Sequence, residues 1–162
     1  VQTRSTTSAL VLTAVLIALA TLFTMYTKIP VPGIRGYFNV GDVVIMTSAL
    51  LLGRKYGAYI GAIGPALADL FLGYAVFVPI TFVVKGIEGY LVGTVYNNKT
   101  TTSALVATVV GGIIIVAGYF IAEYFVFDPG VAIASILTNT IQAVMSVIVS
   151  MILYAILRKR LG

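Results

Sequence analysis

Cysteine and histidine are both absent from this sequence of 162 residues. Without cysteine the chain can form no disulfide and offers no thiolate nucleophile. Without either residue it lacks the usual ligands of nearly every zinc or copper site. Redox and transition-metal chemistry are therefore not expected. We predict that the protein binds no metal, needs no cofactor and has no catalytic residues.

Charged residues are scarce as well. The composition is 60% hydrophobic and 9% charged, whereas a soluble domain carries roughly 25% charged residues. The mean hydropathy is +1.08. A water-soluble fold could not bury this much apolar surface, but a bilayer accommodates it at roughly 20 apolar residues for each spanning helix. The composition therefore predicts a polytopic membrane protein.

Six apolar runs, separated by charged or turn residues, are each typical of a helix. We predict an all-α fold, a compact bundle of six transmembrane helices that forms a single membrane domain over residues 1–162. The second run is too short to cross a hydrocarbon core of about 30 Å unaided. It is therefore tilted, buried among its neighbours or extended through Tyr37 and Phe38. The runs lie at about 8–27, 41–53, 56–73, 77–96, 103–125 and 131–157.

The basic residues are distributed unevenly between the two ends of such a bundle. With six crossings, the amino terminus, the second and fourth connections and the carboxyl terminus share one side, which carries seven basic residues against two. The positive-inside rule then places both termini in the cytoplasm. Because these residues form no basic stripe, the net charge of +5 does not indicate nucleic-acid binding. The seven are Arg4, Arg54, Lys55, Lys99, Arg158, Lys159 and Arg160, and the two are Lys28 and Arg35.

The first connection, KIPVPGIRGYF over residues 28–38, faces outward in this topology. Its prolines and glycines break helices and favour a compact turn. It is either a plain connector or a cover over a pocket, and its aromatic end at Tyr37 and Phe38 favours the cover.

Charged groups within spanning segments are costly unless they pair or face a cavity, so each is a candidate functional residue. Lys85 and Glu88 lie three residues apart on the fourth predicted helix and can form a local pair. Asp69, near the outer end of the third helix, could neutralise Lys85 and leave Glu88 free for a ligand. A structural ion pair and direct ligand contact both remain open.

The sixth predicted helix carries a polar stripe at helical spacing, formed by Ser135, Asn139, Gln142 and Ser146. The stripe either holds helices together, at about 0.6 kcal/mol for each hydrogen bond, or lines a binding site. Two amides offer the donors and acceptors that suit a heteroaromatic ring, which favours a binding role for Asn139 and Gln142.

Two further pairs have the spacing of neighbours on a helix. Tyr119 and Glu123 lie near the outer end of the fifth helix and can reach the same pocket. Ala14 and Ala18 form a small-xxx-small pair on the first helix, a pattern that allows close approach of another helix.

Three blocks of the chain resemble the S component of energy-coupling factor (ECF) vitamin transporters. They are GYFNVGDVVIMTSALLLG from Gly36, GAIGPALADLFLGY from Gly61 and KGIEGYLVG from Lys85. The likeness extends over all six predicted helices and is closest to the riboflavin, pyridoxine and hydroxymethylpyrimidine branch. It implies a subunit of a bacterial cell membrane that captures a vitamin from outside. A transmembrane T component and two cytoplasmic ATPases would be its partners, and the chain itself has no GxxxxGK[ST] phosphate loop.

The resemblance also implies roles for particular residues. Ala14 and Ala18 match the small-residue motif with which family members contact the T component. Family pockets are covered by the first outer loop and lined by the fourth to sixth helices. The absence of tryptophan departs from this pattern, so stacking on a vitamin must come from Tyr or Phe. The expected substrate-binding residues are Tyr37, Asn39, Lys85, Glu88, Tyr119, Glu123, Asn139 and Gln142.

The polar inventory favours a small ring with hydroxyl and ring-nitrogen groups, such as pyridoxine or hydroxymethylpyrimidine. A riboflavin-specific S component remains an alternative. So does a self-sufficient secondary transporter that uses Glu88 or Asp69 as its proton site, and so does a scaffold subunit without a ligand. An enzyme is not expected, since no Ser/His pair or metal cluster supports one.

Overall fold

The computed structural model describes residues 6–30, 37–96 and 100–161 of the chain. Within these ranges all six predicted helices are present, joined by two short strands that were not predicted. The helix ends agree with prediction within two residues, except that the last helix continues four residues further. In chain order the elements are α1 Thr6–Tyr26, β1 Ile29–Pro30, β2 Tyr37–Phe38, α2 Gly41–Leu52, α3 Arg54–Phe71, α4 Phe77–Val95, α5 Thr101–Val126 and α6 Pro129–Leu161.

Several predictions concern residues outside these ranges. The basic residues Arg4, Arg35 and Lys99 are among them, as are Pro32, Gly33 and Gly36 of the predicted cover. Only the two ends of that loop are described, and these ends form a pair of antiparallel strands in which Ile29 pairs with Phe38 and Pro30 with Tyr37.

The short second helix is buried among its neighbours. None of the residues of α2 is exposed, and nine of the twelve are buried. The alternative in which this helix extends through Tyr37 and Phe38 is wrong, because both residues belong to β2 and pair with β1. Helix α2 therefore acts as a central element that the longer helices enclose.

Four helices in the described part of the chain are long and apolar enough to cross a membrane, namely α1, α4, α5 and α6. Their outward faces carry large apolar side chains, among them Leu10, Phe125 and Leu137. A soluble protein rarely exposes contiguous apolar surface of this kind. Lipid chains solvate it without cost, so the exposed surface agrees with a multi-pass membrane protein.

Helices α3 and α4 approach each other closely because glycines face backbone atoms across the interface. A Cβ atom at Gly89 would overlap the carbonyl oxygen of Gly57, and one at Gly61 would overlap the carbonyl oxygen of Lys85. Small residues permit this backbone contact between membrane helices. The contact fixes α4 against α3 and so determines where the Lys85 side chain begins.

Replacing Gly89 with alanine is expected to lower the free energy of unfolding by about 1–3 kcal/mol, because the new methyl group must push two backbones apart. Gly86, three residues earlier on α4, is the matched control. The atom nearest to a Cβ there would be the methyl carbon of Ala62 at 3.2 Å, and the nearest backbone atom would be 3.7 Å away. Detergent unfolding curves of Gly89→Ala and Gly86→Ala test this, and equal stability of the two variants would contradict the interpretation.

Local sequence explains how the helices begin and turn. Thr100 caps α5 by accepting a hydrogen bond from the Ser103 amide at 3.1 Å, and Asp128 does the same for α6 from the Val131 amide at 3.0 Å. Gly53 has φ of +89° and joins α2 directly to α3, a conformation that favours glycine. The two caps and the turn at Gly53 therefore fix where α3, α5 and α6 begin around the site.

Candidate functional site

A polar cavity lies at the end of the bundle that carries the two strands. Its volume is about 40 Å³, and a bound water needs roughly 10–15 Å³. It therefore has room for a few waters and must widen to admit a vitamin. Side chains from β2 and from five helices reach it. They belong to Thr24, Tyr37, Asn39, Pro65, Asp69, Phe77, Thr81, Lys85, Tyr119, Glu123, Ser135, Asn139 and Gln142.

Lys85 is the centre of a buried ionic cluster beside this cavity. Its Nζ atom lies 2.5 Å from Asp42 Oδ1 and 3.5 Å from Glu88 Oε2. The predicted local pair with Glu88 is confirmed, but the expectation that Asp69 neutralises Lys85 is wrong. Asp42 supplies the closer carboxylate because the first turn of α2 points directly at α4. Glu88 lies behind Lys85 and is absent from the residues that line the cavity.

Sequence reasoning missed Asp42, although the signal was present. It is the single charged residue of the second apolar run and lies in the block that resembles ECF S components. Only its pairing partner, 43 residues further along the chain, could not be read from the pattern.

Gln142 connects the charged cluster to the strand end of the bundle. Its Nε2 donates to Asp42 Oδ2 at 2.7 Å, and its Oε1 accepts from the Asn39 amide at 2.9 Å. The side chain of Asn39 in turn accepts from the Gly41 amide at 2.8 Å. Both predicted binding residues therefore line the cavity, but much of their hydrogen-bonding capacity is used to hold α2 and α6 together.

Tyr37 and Asp69 meet on the side of the cavity nearest the strands. The Tyr37 hydroxyl donates to Asp69 Oδ1 at 2.6 Å. Burial and the neighbouring Asp69 carboxylate raise the pKa of Tyr37 above its usual range, so it remains a donor. Its ring lies 5.0 Å from that of Tyr74, and Lys28 Nζ lies 5.1 Å from the centre of the Tyr74 ring. These contacts place an aromatic group over the cavity.

Tyr119 packs against the charged cluster from α5. Its hydroxyl is 2.9 Å from Thr81 Oγ1, and Lys85 Nζ lies 5.4 Å from the centre of its ring. A cation over an aromatic face gains about 0.5–2 kcal/mol. The predicted residue therefore reaches the cavity and also helps to balance the buried ammonium.

Glu123 and Asn139 approach the cavity from α5 and α6. Glu123 accepts a hydrogen bond from the Ser135 hydroxyl at Oε2. Asn139 follows Ser135 by one turn, and its buried Nδ2 has no hydrogen-bond partner among the described residues. The buried Thr24 Oγ1 and both carboxylate oxygens of Glu88 also lack hydrogen-bond partners in this part of the chain. Such groups cost about 1–3 kcal/mol each when left unsatisfied. Thr24 and Asn139 line the cavity, where a ligand could satisfy them, whereas Glu88 lies outside the lining and has the Lys85 ammonium 3.5 Å from Oε2.

The two alanines of α1 lie away from the cavity. Ala14 and Ala18 are exposed on one side of the helix, whereas Ala20 is fully buried and lies close to Gly64 of α3. The small-residue face is therefore open to another helix.

The same fold occurs in solved structures. The S component of a bacterial ECF transporter matches with a TM-score of 0.79 at 20% identity, over 96% of this chain and 98% of that one. The S component for biotin from an ECF-type ABC transporter matches with a TM-score of 0.67 at 18% identity, over 94% of each chain. The architecture is therefore that of an ECF S component.

The sequence identifies the family directly. Residues 4–159 match the model of the ECF-type riboflavin transporter S component, and the chain belongs to this family. It is 29% identical to the thiamine precursor transporter HmpT of Lactococcus lactis subsp. cremoris (strain MG1363), over 91% of this chain and 83% of that protein. It is also 41% identical to an uncharacterized protein in a gap 3′ region of Pyrococcus woesei, over 88% of this chain and 96% of that one. The family comprises transport subunits rather than enzymes.

Proposed function

We propose that this protein is the substrate-capture subunit of an ATP-driven ECF importer for a small aromatic vitamin or vitamin precursor of the hydroxymethylpyrimidine or pyridoxine type. The observation that carries the proposal is the polar cavity with its unsatisfied buried groups at Thr24 and Asn139. Family membership supports it, as does the relative named for a thiamine precursor. ATP hydrolysis would take place on separate ATPases.

The proposed topology has six crossings with both termini in the cytoplasm. Arg158, Lys159 and Arg160 lie in the last turn of α6, at the opposite end of that helix from Asp128. This arrangement supports a cytoplasmic position for that end under the positive-inside rule. The cavity and the two strands would then face the outside of a cell membrane, from which the vitamin arrives.

The proposed partners are a transmembrane T component and two cytoplasmic ATPases. The exposed pair Ala14 and Ala18 on α1 would form part of the contact with the T component. Close helix approach at small residues supports this assignment.

Two other transport functions remain to be separated by experiment. Riboflavin is favoured by the name of the matching family, but a cavity of about 40 Å³ would have to widen far more for its three-ring system. A proton-coupled secondary transporter using Glu88 or Asp69 would transport without partners. Purified protein in vesicles with a proton gradient should take up no vitamin, and uptake under those conditions would favour the secondary transporter.

The most direct test is mass spectrometry of small molecules released from the purified protein. We expect a single heteroaromatic vitamin or precursor in an amount comparable to that of the protein. Release of lipid alone, together with no binding of added hydroxymethylpyrimidine, pyridoxine or riboflavin, would contradict the proposal and favour a scaffold subunit.

Replacing Asn139 with alanine is expected to weaken vitamin binding about tenfold, the equivalent of one hydrogen bond. The reason is that Nδ2 is buried at the cavity without a protein partner. Thr140 is the control, because it is exposed and its hydroxyl bonds the Ile136 carbonyl of its own helix. Equilibrium dialysis of Asn139→Ala and Thr140→Ala provides the measurement, and equal affinity in both variants would remove Asn139 from the site.

A further inference from the structure

An apolar groove runs along the outside of the bundle between α5 and α6. Its volume is about 580 Å³, within the roughly 300–1,000 Å³ of pockets that hold small molecules. Thr140 is the single polar residue among the described residues that line it, and its hydroxyl donates to the Ile136 carbonyl at 2.7 Å. The groove therefore offers hydrocarbon contacts alone, and it shares no lining residue with the polar cavity.

Small residues form the floor of the groove. Gly112 of α5 faces Ala143 of α6, and a Cβ atom at Gly112 would lie 3.2 Å from the Ala143 methyl carbon. The larger side chains of Ile113 and Val144 flank this contact and are exposed. Small residues allow the two helices to approach closely here. The groove is therefore a consequence of the helix packing itself.

The face of α6 that borders the groove ends in a basic residue. It continues toward the end of the helix at spacings of four, seven and four residues, through Ala143, Val147, Tyr154 and Arg158. The guanidinium carbon of Arg158 lies 5.8 Å from the centre of the Tyr154 ring, so this side chain points back along α6 toward the groove. The ion pairs in the described part of the chain all involve Lys85. Arg158 therefore has no carboxylate partner within that part.

The distance from this cation to the groove matches one leaflet of a bilayer. Tyr154 and Ala143 are separated by roughly 16 Å along the helix, and half of a hydrocarbon core is about 15 Å. A phospholipid whose phosphate lies at Arg158 can therefore extend an acyl chain along the groove as far as Ala143. A second copy of this chain fits less well, because two copies with the same topology and facing grooves bring their Arg158 cations to the same depth.

We propose that the groove between α5 and α6 binds an anionic phospholipid of the cytoplasmic leaflet, with its phosphate at Arg158 and one acyl chain between the helices. Basic residues at the cytoplasmic end of a spanning helix attract anionic lipids, and the lining of the groove matches the chain. The proposal goes beyond the importer function, since it uses the proposed topology but not the identity of the vitamin. The bound lipid would fill the seam between the two helices that carry Glu123 and Asn139 to the cavity.

Tryptophan fluorescence can report on this site because the chain contains no tryptophan. Leu105→Trp places an exposed reporter one turn from Val109, on the cytoplasmic side of the groove. The purified chain is reconstituted in phosphatidylcholine vesicles that contain either dibrominated phosphatidylglycerol or dibrominated phosphatidylcholine, and quenching by bromine gives the relative affinity of each lipid. We expect phosphatidylglycerol to bind about fivefold more tightly at this position, the usual contribution of one basic residue near an anionic lipid.

Leu153→Trp provides the matched control position. Leu153 is exposed at the depth of Tyr154, but it lies about 140° around the helix from Arg158. Arg160 follows it by two turns on the same side, so this position has a nearby cation and no groove. The two brominated lipids should quench this reporter with affinities that differ by less than about twofold, since only a general attraction to basic residues acts there.

A pair of charge variants in the Leu105→Trp background identifies the cation. Arg158→Gln should reduce the preference for phosphatidylglycerol from about fivefold to less than about twofold. Arg160→Gln removes the same charge from the same turn but from the opposite side of α6, so it should retain the preference. Elution volume and thermal unfolding verify that the variants fold.

Equal affinity of the two lipids at Leu105→Trp would overturn the proposal. An equal preference for phosphatidylglycerol at Leu153→Trp would also overturn it, because the effect would then be a general attraction to a basic surface. Equal losses in Arg158→Gln and Arg160→Gln would have the same meaning. A preference that is confined to Leu105→Trp and is lost only in Arg158→Gln supports a lipid site in the groove.

Discussion

Replacing Lys85 with methionine is expected to lower the free energy of unfolding by about 3–5 kcal/mol, the usual cost of removing one partner from a buried ion pair. The substitution leaves Asp42 and Glu88 together in an enclosed site without a cation. Methionine has a similar length, so loss of packing contributes little. Unfolding by SDS in mixed micelles, followed by far-ultraviolet circular dichroism, measures the difference.

Two further variants test whether the loss of stability in Lys85→Met comes from the unpaired carboxylates. Lys55→Met removes an exposed lysine from the start of α3 and should change stability by less than about 0.5 kcal/mol. The double variant Lys85→Met/Asp42→Asn should recover part of the loss, because the carboxylate closest to the missing ammonium is then neutral. If the double variant recovers no stability, the contact of 2.5 Å between Lys85 and Asp42 does not account for the loss in Lys85→Met.

Replacing Ala14 with tryptophan is expected to reduce vitamin uptake by cells roughly tenfold or more, because a bulky side chain prevents close approach of a partner helix. Affinity for the vitamin should remain unchanged, since Ala14 does not line the cavity. Uptake of radiolabelled vitamin by cells that supply the partner subunits, measured beside equilibrium dialysis of the purified variant, separates the two effects.

The control is Phe125→Trp on α5, which alters a side chain that is 80% exposed on another helix. It should preserve both uptake and affinity. Normal uptake in Ala14→Trp would remove the docking assignment, whereas a parallel loss of affinity would indicate that Ala14 supports the cavity rather than a partner contact.

The helices could be predicted because membrane segments leave a strong one-dimensional signal. Most apolar runs end at or beside a charge, a proline or a glycine, and Gly53 marks the boundary between α2 and α3 in this way. The burial of α2 was one of three alternatives, because its length alone did not say whether neighbours cover it.

The pairing of charges could not be predicted in the same way. The rise per residue of a helix gives the depth of each residue in the membrane. Asp69 was the expected partner of Lys85 because the two residues lie at similar depth. The direction in which each helix faces depends on packing between distant segments. Contacts such as that of Gly61 with the Lys85 backbone turn α4 toward Asp42 instead. The same limit explains why the bonding of Gln142 to Asn39 and Asp42 could not be foreseen.

The enclosed position of α2 has a consequence for how the protein is made. A helix of twelve residues that carries Asp42 is too short and too polar at one end to enter a bilayer as an independent segment. It gains its last buried hydrogen-bond partner only from Gln142 on α6, the final helix in the chain. Membrane insertion and maturation of the site are therefore separate events, and the centre of the bundle is completed only after its most distant part has been translated.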